Sequence, residues 1–487
     1  MSAFKTLFKQ TFFYGLATVL PRMLSFLLVP LYTSPGVLPS VSEYGNVSLI
    51  FAWFVLFNVI LAYGMETAFF RFFNKESDKQ KVIGTAAISL IGTSFIFFIV
   101  AFLFKDQLAS LTNIKVEYIS LVLWILLLDA LVVIPFAWLR AMERPKTYTL
   151  IKIANVAINI GFNIFFLLIL PNLSEESSIY QLLYKPGFEV NYIFIANVIA
   201  SGFTLLFMAP FYIKVKYNFD RTLWRQMLRY AFPVLIAGVA FSVNETFDRI
   251  LLDRMLDVED PKHVIGMYSA CYKLALFMTL FAAAYRLGIE PYFFKHANTE
   301  NPQKNYAKIL EFFVITGSFI LLLVVVSADL IKPIIIRDEP YWEAMWVVPV
   351  LLMAYLFLGI YHNLSVWYKI TDRTKFGAYI SVFGAIVTLS LNIILIPVIS
   401  YKGSALATLA AYAVMALLSF YFGRKYYPIP YNLKKIGSYL ILSIGFSTIY
   451  FYLFRQNYAV GIGMLIVFLI LVWTQEKAQI KQIIKSR

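Results

Sequence analysis

Trp138-Leu-Arg-Ala-Met-Glu-Arg-Pro-Lys146 and Trp367-Tyr-Lys-Ile-Thr-Asp-Arg-Thr-Lys375 are the two stretches whose alignment decides the fold. They lie 229 positions apart, and with no gap Asn163-Ile164 falls on Asn392-Ile393. A second pair agrees. Glu66-Thr-Ala-Phe-Phe-Arg71 returns as Glu290-Pro-Tyr-Phe-Phe-Lys295, at an offset of 224. The chain therefore reads as two copies of one unit joined end to end. Duplicated helical units in a membrane are the architecture of transporters, with the substrate site between the copies.

The unit is a membrane unit. Apolar residues make up 60% of the 487 and charged residues only 14%, against about 45–50% and about 25% in soluble domains. Apolar runs near the roughly 20 residues that span a bilayer recur throughout. The first copy holds them at 10–33, 45–66, 83–104, 118–139, 149–170 and 192–214. The second holds them at 230–253, 264–288, 308–330, 343–368, 376–398 and 403–424, and two more follow at 434–454 and 457–475. The expected fold is an all-α polytopic membrane protein of about 14 helices. It comprises a six-helix N-lobe (1–215), a cytoplasmic linker (216–229), a six-helix C-lobe (230–425), and a final helix pair with a basic cytoplasmic tail (426–487). The lobes are expected to be pseudo-symmetric around a central cavity.

The net charge of +15 points to the membrane surface and not to nucleic acid. Of the 42 Lys and Arg, 29 fall in the tails and expected cytoplasmic loops, 9 in the opposite loops and 4 within spans. That asymmetry is the positive-inside pattern, and it places both termini in the cytoplasm. The basic segment 214–229 also carries Phe219, Leu223, Trp224, Met227 and Leu228. This suits an amphipathic helix lying on the anionic inner leaflet, or a solvated linker that simply obeys topology. The first run is too long for a cleavable signal peptide and is interrupted by Arg22. The single cysteine, Cys271, excludes an intramolecular disulfide and a multi-cysteine metal site. His263, His296 and His362 have no ligand spacing, and no phosphate-binding glycine loop occurs. No cofactor, metal or enzyme activity is expected.

Charges within spans are expensive and usually face a cavity, a partner or water. Arg22 lies mid-span between Pro21 and Pro30. It reads as an anion contact in a hydrated cavity, or as the partner of Asp129 on the fourth span. The seventh span carries Asn244, Glu245, Asp248, Arg249 and Asp253. Glu245–Arg249 and Arg249–Asp253 are i,i+4 neighbours that can neutralise one another, which leaves Asp248 with no obvious local partner. Lys273 stands roughly 13 Å along the eighth span, flanked by Tyr268 and Tyr272. A basic group beside tyrosines suits phosphate or sugar, and a pair with Asp248 or Glu245 is the plainer alternative. Arg286, close to the inner end of that span, either binds substrate or snorkels. Glu66 and Glu290 occupy matching places in the two copies and read as gate or hinge ion pairs.

These stretches are similar to the multidrug/oligosaccharidyl-lipid/polysaccharide exporter superfamily, and within it to the bacterial polysaccharide (Wzx-type) flippases. The resemblance is carried by Glu43-Tyr-Gly45, GMETAFFRF at 64–72, LRAMERPKTYTLIKI at 139–153, FPVLIAGVAFSVNETFDRILL at 232–252, GMYSACYKLA at 266–275 and NLSVWYKITDRTK at 363–375. It implies two six-helix lobes around a cavity that opens alternately to each side, lined by the first and seventh helices. It implies a polyprenyl-pyrophosphate-linked oligosaccharide as substrate. Arg22 resembles the cavity arginine on the first helix of the related lipid II flippases. Those proteins carry further charges on the second span, where this chain has none between Tyr44 and Gly64.

The expectation is a flippase of a bacterial cytoplasmic membrane, moving an O-antigen, capsule or exopolysaccharide unit from the inner to the outer leaflet. Substrate contacts would come from Arg22, Arg249, Lys273, Arg286, Asn244, Tyr268 and Tyr272. Coupling to H+ or Na+ and gating would involve Asp129, Glu245, Asp248, Glu66 and Glu290. Partners would be the lipid-linked oligosaccharide, the bilayer, and a polysaccharide polymerase or glycosyltransferases. Two rivals are a cation-coupled multidrug exporter of the same superfamily and a membrane-embedded polymerase or glycosyltransferase. The first would want a negative cavity. The second would want a larger extramembrane region than the loop 171–191.

Overall fold

The computed structural model describes residues 26–295 and 301–485, without the side chains at 290, 291, 294, 295 and 478–485. Arg22, His296, the Glu290 side chain and most of the first expected span thus lie outside the described residues. All regular structure among those described is helical. Lipid leaves a spanning backbone no water to bond, and only helices or closed barrels satisfy every amide internally. Among the described residues, thirteen helices are long and apolar enough to cross a membrane, from Val41–Lys75 to Tyr458–Lys477. They match the second to fourteenth expected spans one for one. The protein is a multi-pass membrane protein.

In the first half, α1 (Val41–Ala62) is followed by α2 (Met65–Lys75), α3 (Lys79–Leu103), α4 (Val116–Leu131), α5 (Val133–Ala141), α6 (Pro145–Ile164) and α7 (Glu189–Lys214). The second half runs through α8 (Arg221–Met255), α9 (Pro261–Lys295), α10 (Pro302–Ile335), α11 (Val347–Leu364), α12 (Lys375–Ile399) and α13 (Tyr401–Tyr426). The extra pair is α14 (Leu433–Leu453) and α15 (Tyr458–Lys485). Local sequence sets many of the ends. Ser40 caps α1 by accepting from the Glu43 amide at 3.3 Å, and Pro145 and Pro302 sit in the first turns of α6 and α10, where a missing N–H is harmless.

The repeat is visible as geometry. Glu143 and Asp372, which align at the 229 offset, both take a left-handed backbone, with φ of 52° and 56°. The Arg144 amide donates to the Leu139 carbonyl at 2.9 Å, and the Arg373 amide to the Tyr368 carbonyl at 2.8 Å. Both copies therefore end their conserved-spacing helix with the same Schellman-type turn. The aligned Asn163 and Asn392 are both fully buried. The other repeated element differs. Tyr63 and Gly64 take φ of 31° and 72° and break α1 from α2, whereas α9 runs unbroken through the aligned Gly288. At the break α8 passes close: a Cβ on Gly64 would sit 2.5 Å from the Ala231 carbonyl oxygen.

By packing, the chain divides within α9. One unit holds residues 1–269 with 392–400, and the other holds 270–391 with 401–487. In the first unit α8 packs on α1, α2 and α3, and α7 packs on α4 and α6. Gly45 and Gly266, both from stretches that carry the resemblance, form one crossing there. A Cβ on Gly45 would lie 1.9 Å from the Lys262 oxygen, and one on Gly266 2.2 Å from the Val41 oxygen. Small residues let membrane helices approach this closely.

The linker corrects one expectation. No separate amphipathic helix forms over 216–229; α8 begins at Arg221 and continues unbroken to Met255. Before it, the chain is extended and docks on α3. Thr85 donates to the Asn218 carbonyl at 3.4 Å and accepts from the Asp220 amide at 3.1 Å. Asp220 caps α8 through the Leu223 amide at 2.8 Å and pairs with Lys81. Leu223 and Met227 are buried in protein, and the Trp224 indole donates to Ser89 at 2.7 Å. Of the apolar stripe read as a membrane-facing surface, Leu223, Trp224 and Met227 lie in the first two turns of a packed spanning helix, while Phe219 precedes that helix and is exposed.

In the second unit α11 packs on α13 and α10, and the final pair packs on α10. Ion pairs fasten that pair at two places. Lys435 on α14 bridges Glu311 on α10 and Glu476 on α15, at 3.1 and 2.7 Å. Arg455, between α14 and α15, grips Asp329 of α10 with two bonds of 2.8 and 3.0 Å. A two-pronged guanidinium–carboxylate contact fixes orientation as well as distance.

Candidate functional site

The densest buried charge in the first unit lies where α8 meets the start of α9. Asp248 and Arg249 are 4% and 7% exposed. Arg249 donates from Nη1 to Asp248 Oδ1 at 3.0 Å and from its backbone amide to the same oxygen at 2.8 Å. The other carboxylate oxygen accepts the Tyr268 hydroxyl at 2.6 Å. The guanidinium also lies 5.6 Å from the Tyr268 ring centroid, within cation–π range. Glu245 enters through its backbone, accepting from Arg249 Nη1 at 3.2 Å.

Asp248, which has no obvious partner by spacing, binds Arg249, and Tyr268 joins the cluster from α9. Asp253 sits instead in the fields of Lys262 and Arg254. Spacing rules compare Cβ positions, whereas a guanidinium on three methylenes can fold back to the adjacent residue. Asn244 is buried one turn before Asp248. Tyr272 and Lys273 follow in the second unit: the Tyr272 ring meets Tyr355 edge-on at 5.8 Å, and Lys273 is half-buried.

A second polar layer lies among α4, α6 and α7. The Ser201 hydroxyl donates to Asp129 at 2.7 Å, and Asn155 donates to Thr204 at 2.9 Å. Lys152 lies within electrostatic reach of Asp129, its ammonium 4.1 Å from the Phe136 ring. Sequence reasoning counted Lys152 among the loop charges. The signal that places it inside is Pro145 at the first position of α6, which puts Lys152 two turns, about 10 Å, into the helix.

Glu66 and Arg140 form an ion pair between α2 and α5, and Arg140 also lies over the Phe70 ring at 5.0 Å. In the second unit Arg286 shares a small cavity with His362 and Lys369. Cys271 is buried and donates to the Tyr341 carbonyl at 3.2 Å. No cluster of His, Cys, Asp and Glu fit for a metal occurs among the described residues.

A family profile described as "Polysaccharide biosynthesis protein" matches residues 7–296. No curated protein matches the chain in sequence. Among solved structures, the lipid II flippase MurJ in its inward closed conformation superposes with a TM-score of 0.71 at 15% identity, over 95% of this chain and 99% of that one. An inward-facing multidrug resistance MATE family transporter of the MOP superfamily gives 0.64 at 13% identity, over 85% and 94%. A MATE crystal structure in the bent conformation gives 0.59 at 15%, over 89% and 96%. The fold is the one these transporters share.

Proposed function

We propose that this chain, which belongs to the polysaccharide biosynthesis protein family, is a flippase for a polyprenyl-pyrophosphate-linked oligosaccharide. It would work in a bacterial cytoplasmic membrane with both termini inside, moving the sugar to the outer leaflet by alternating access. The observation that carries the reading is the family match, on a chain that has a transporter fold over nearly its whole length. A sugar head loses its hydrogen bonds in about 30 Å of hydrocarbon. A hydrated path between helices removes that cost while the polyprenyl tail stays in lipid.

The pyrophosphate needs cations, and Arg22, Arg249 and Lys273 are assigned to it, with Arg286, Asn244, Tyr268 and Tyr272 as further contacts. Arg249 already holds an anion, the Asp248 carboxylate. A pyrophosphate offers the same guanidinium two charged oxygens in bidentate geometry, so it can displace Asp248. The released carboxylate then needs a proton or a sodium ion, because a buried unpaired charge costs several kcal/mol. Substrate capture and cation uptake are coupled in that exchange. Asp129 and Glu245 are the other coupling candidates, and Glu66 and Glu290 the gating ones.

Two measurements test the reading. Deletion should leave lipid-linked oligosaccharide accumulated on the inner leaflet; unchanged distribution between leaflets refutes the flippase. Arg22→Ala should abolish export at unchanged protein level, and Arg22→Lys should restore it only partly, since an ammonium lacks the planar fork. If Arg22→Ala combined with Asp129→Asn recovers wild-type export, Arg22 is a structural partner and not a ligand.

A further inference from the structure

The first unit carries a large apolar cleft, lined by none of the residues assigned to transport. It runs between α1, α3 and α4, beneath the short helix Lys105–Thr112, and measures about 480 Å³. α1 and α3 both pack on α4, and they meet one another through the Phe57 and Phe97 rings, 5.8 Å apart. The inner wall of the cleft is core: Ile50, Leu123 and Leu126 are 1%, 4% and 1% exposed. Its mouth is a ridge on α3. Ile96, Val100 and Phe104 stand four residues apart on one helix face and are 65%, 50% and 54% exposed. Because α3 is a spanning helix, that ridge meets bilayer hydrocarbon and not water.

The lining excludes water. Every residue in it is apolar except Thr93 and Thr112. Both hydroxyls are engaged within their own helices, donating to the Ser89 carbonyl at 2.9 Å and the Leu108 carbonyl at 2.7 Å. A buried water needs two to four polar partners, and an apolar cavity of about 150 Å³ already takes up benzene. A cleft about three times that size, open to lipid, fills with hydrocarbon, since a void forfeits the dispersion contacts of its walls. Its length selects the hydrocarbon. From Thr93 to Phe104 the wall rises about 16 Å along α3, and one leaflet is about half of a 30 Å core. A single acyl chain fits that depth end to end, whereas a longer polyprenyl tail would run out past Thr93. The other end lies where α3 stops at Leu103 and the short helix begins. Lys105 opens that helix, half-buried, its ammonium 4.9 Å from the Phe102 ring centroid. Its charge complements a phosphodiester. Asp106, next to it, is exposed, where water and salt screen it. Lys115, beyond the other end of the helix, lies 3.8 Å from Glu43, which makes Lys105 the headgroup contact.

We propose that this cleft binds one acyl chain of a bilayer phospholipid, whose phosphate rests on Lys105. Under the topology proposed above, the lipid belongs to the outer leaflet. The site is independent of the flippase reading, because it rests on a spanning helix, an apolar lining and the length of one leaflet.

Two measurements on the full chain test it. In a Cys271→Ala background, a benzophenone is attached to Val100→Cys or to Leu103→Cys; Leu103 is 72% exposed on the same helix and does not line the cleft. The protein is purified in detergent, which strips loosely held lipid, then irradiated and weighed by mass spectrometry. A phospholipid adduct at position 100 and none at 103 is expected. Equal adducts at both positions mean annular lipid only and overturn the site. A polyprenyl-linked adduct, which gives the cleft to the substrate tail, a cross-link to residues 1–25, which closes it with the chain itself, or no adduct at all overturns it too. The second measurement titrates dioleoylphosphatidylglycerol by native mass spectrometry. Ala101→Phe fills the cleft from its wall, and Lys105→Gln changes only the surface charge. Affinity should fall at least about tenfold in each, which for Lys105 is the scale of one lost charge-assisted hydrogen bond. Wild-type affinity in both variants overturns the proposal, and wild-type affinity in Lys105→Gln alone overturns its phosphate contact.

Discussion

Asp248→Asn is the most informative single change. Asparagine keeps the shape and can still accept one bond, but it strips the charge that holds Arg249 and the acceptor strength that holds Tyr268. Both members are buried, with side chains 9% and 5% exposed, so solvent cannot replace the lost partner. Breaking one side of such a pair costs about 3–5 kcal/mol. Tyr268→Phe removes one hydrogen bond to a charged group, worth about 1.5–3 kcal/mol. At about 1–2 °C per kcal/mol for a chain of this length, extrapolated from smaller domains, Asp248→Asn should lower the apparent melting temperature in detergent by several degrees. Tyr268→Phe should lower it by less. Adding Arg249→Gln to Asp248→Asn removes the stranded cation and should recover most of the loss. Export is predicted to stay absent in that double variant, because Arg249 is assigned to the pyrophosphate. Melting of Asp248→Asn at the wild-type temperature, or a double variant no more stable than the single one, refutes the buried-pair reasoning. Wild-type export from the double variant removes Arg249 from the substrate site.

Gly45→Ala and Gly266→Ala should each destabilise by at least about 1–3 kcal/mol, since the added carbon meets a backbone oxygen that cannot move aside. Gly202→Ala, with nothing within 4 Å of its Cβ, should instead stabilise by about 0.5–1 kcal/mol; thermal scans of the three variants would contradict this if they ranked otherwise. In a Cys271→Ala background, single cysteines at Lys75, Lys146, Arg221, Lys304 and Arg373 should label only after permeabilisation, and labelling at several of them in intact spheroplasts would reverse the topology. The Lys81 ammonium, helped by the Leu223 amide, holds the Asp220 carboxyl below its ordinary value. Its unfolded value is near about 3.9, so its contribution is complete above about pH 4 and fades as acid passes the lower folded value. Asp220→Ala should therefore flatten the acid limb of the stability curve, and an unchanged limb would remove Asp220 from it.

The sequence by itself determined the class, the span count and the duplication. Membrane thickness sets how many apolar residues a helix needs, so run length reads directly as span number, and thirteen spans fell where expected. The repeat was legible because both copies make the same left-handed turn, at Glu143 and Asp372, from the same spacing of tryptophan and charge. Glu66 was legible as half of an ion pair for the same reason, though its partner Arg140 was not named. Tertiary structure alone decided the partners of buried charge. Asp248 was left without one by spacing because its second contact, Tyr268, arrives from another helix 20 residues on. Lys152 was counted with the inner-loop charges although the expected span 149–170 contains it, because it stands so near the start of that span. The stripe Leu223, Trp224 and Met227 is apolar on either reading, and only the position of α3 makes it protein-facing. An apolar face says that something must cover it. Which surface does so depends on helices far apart in the chain, and no local pattern contains that choice.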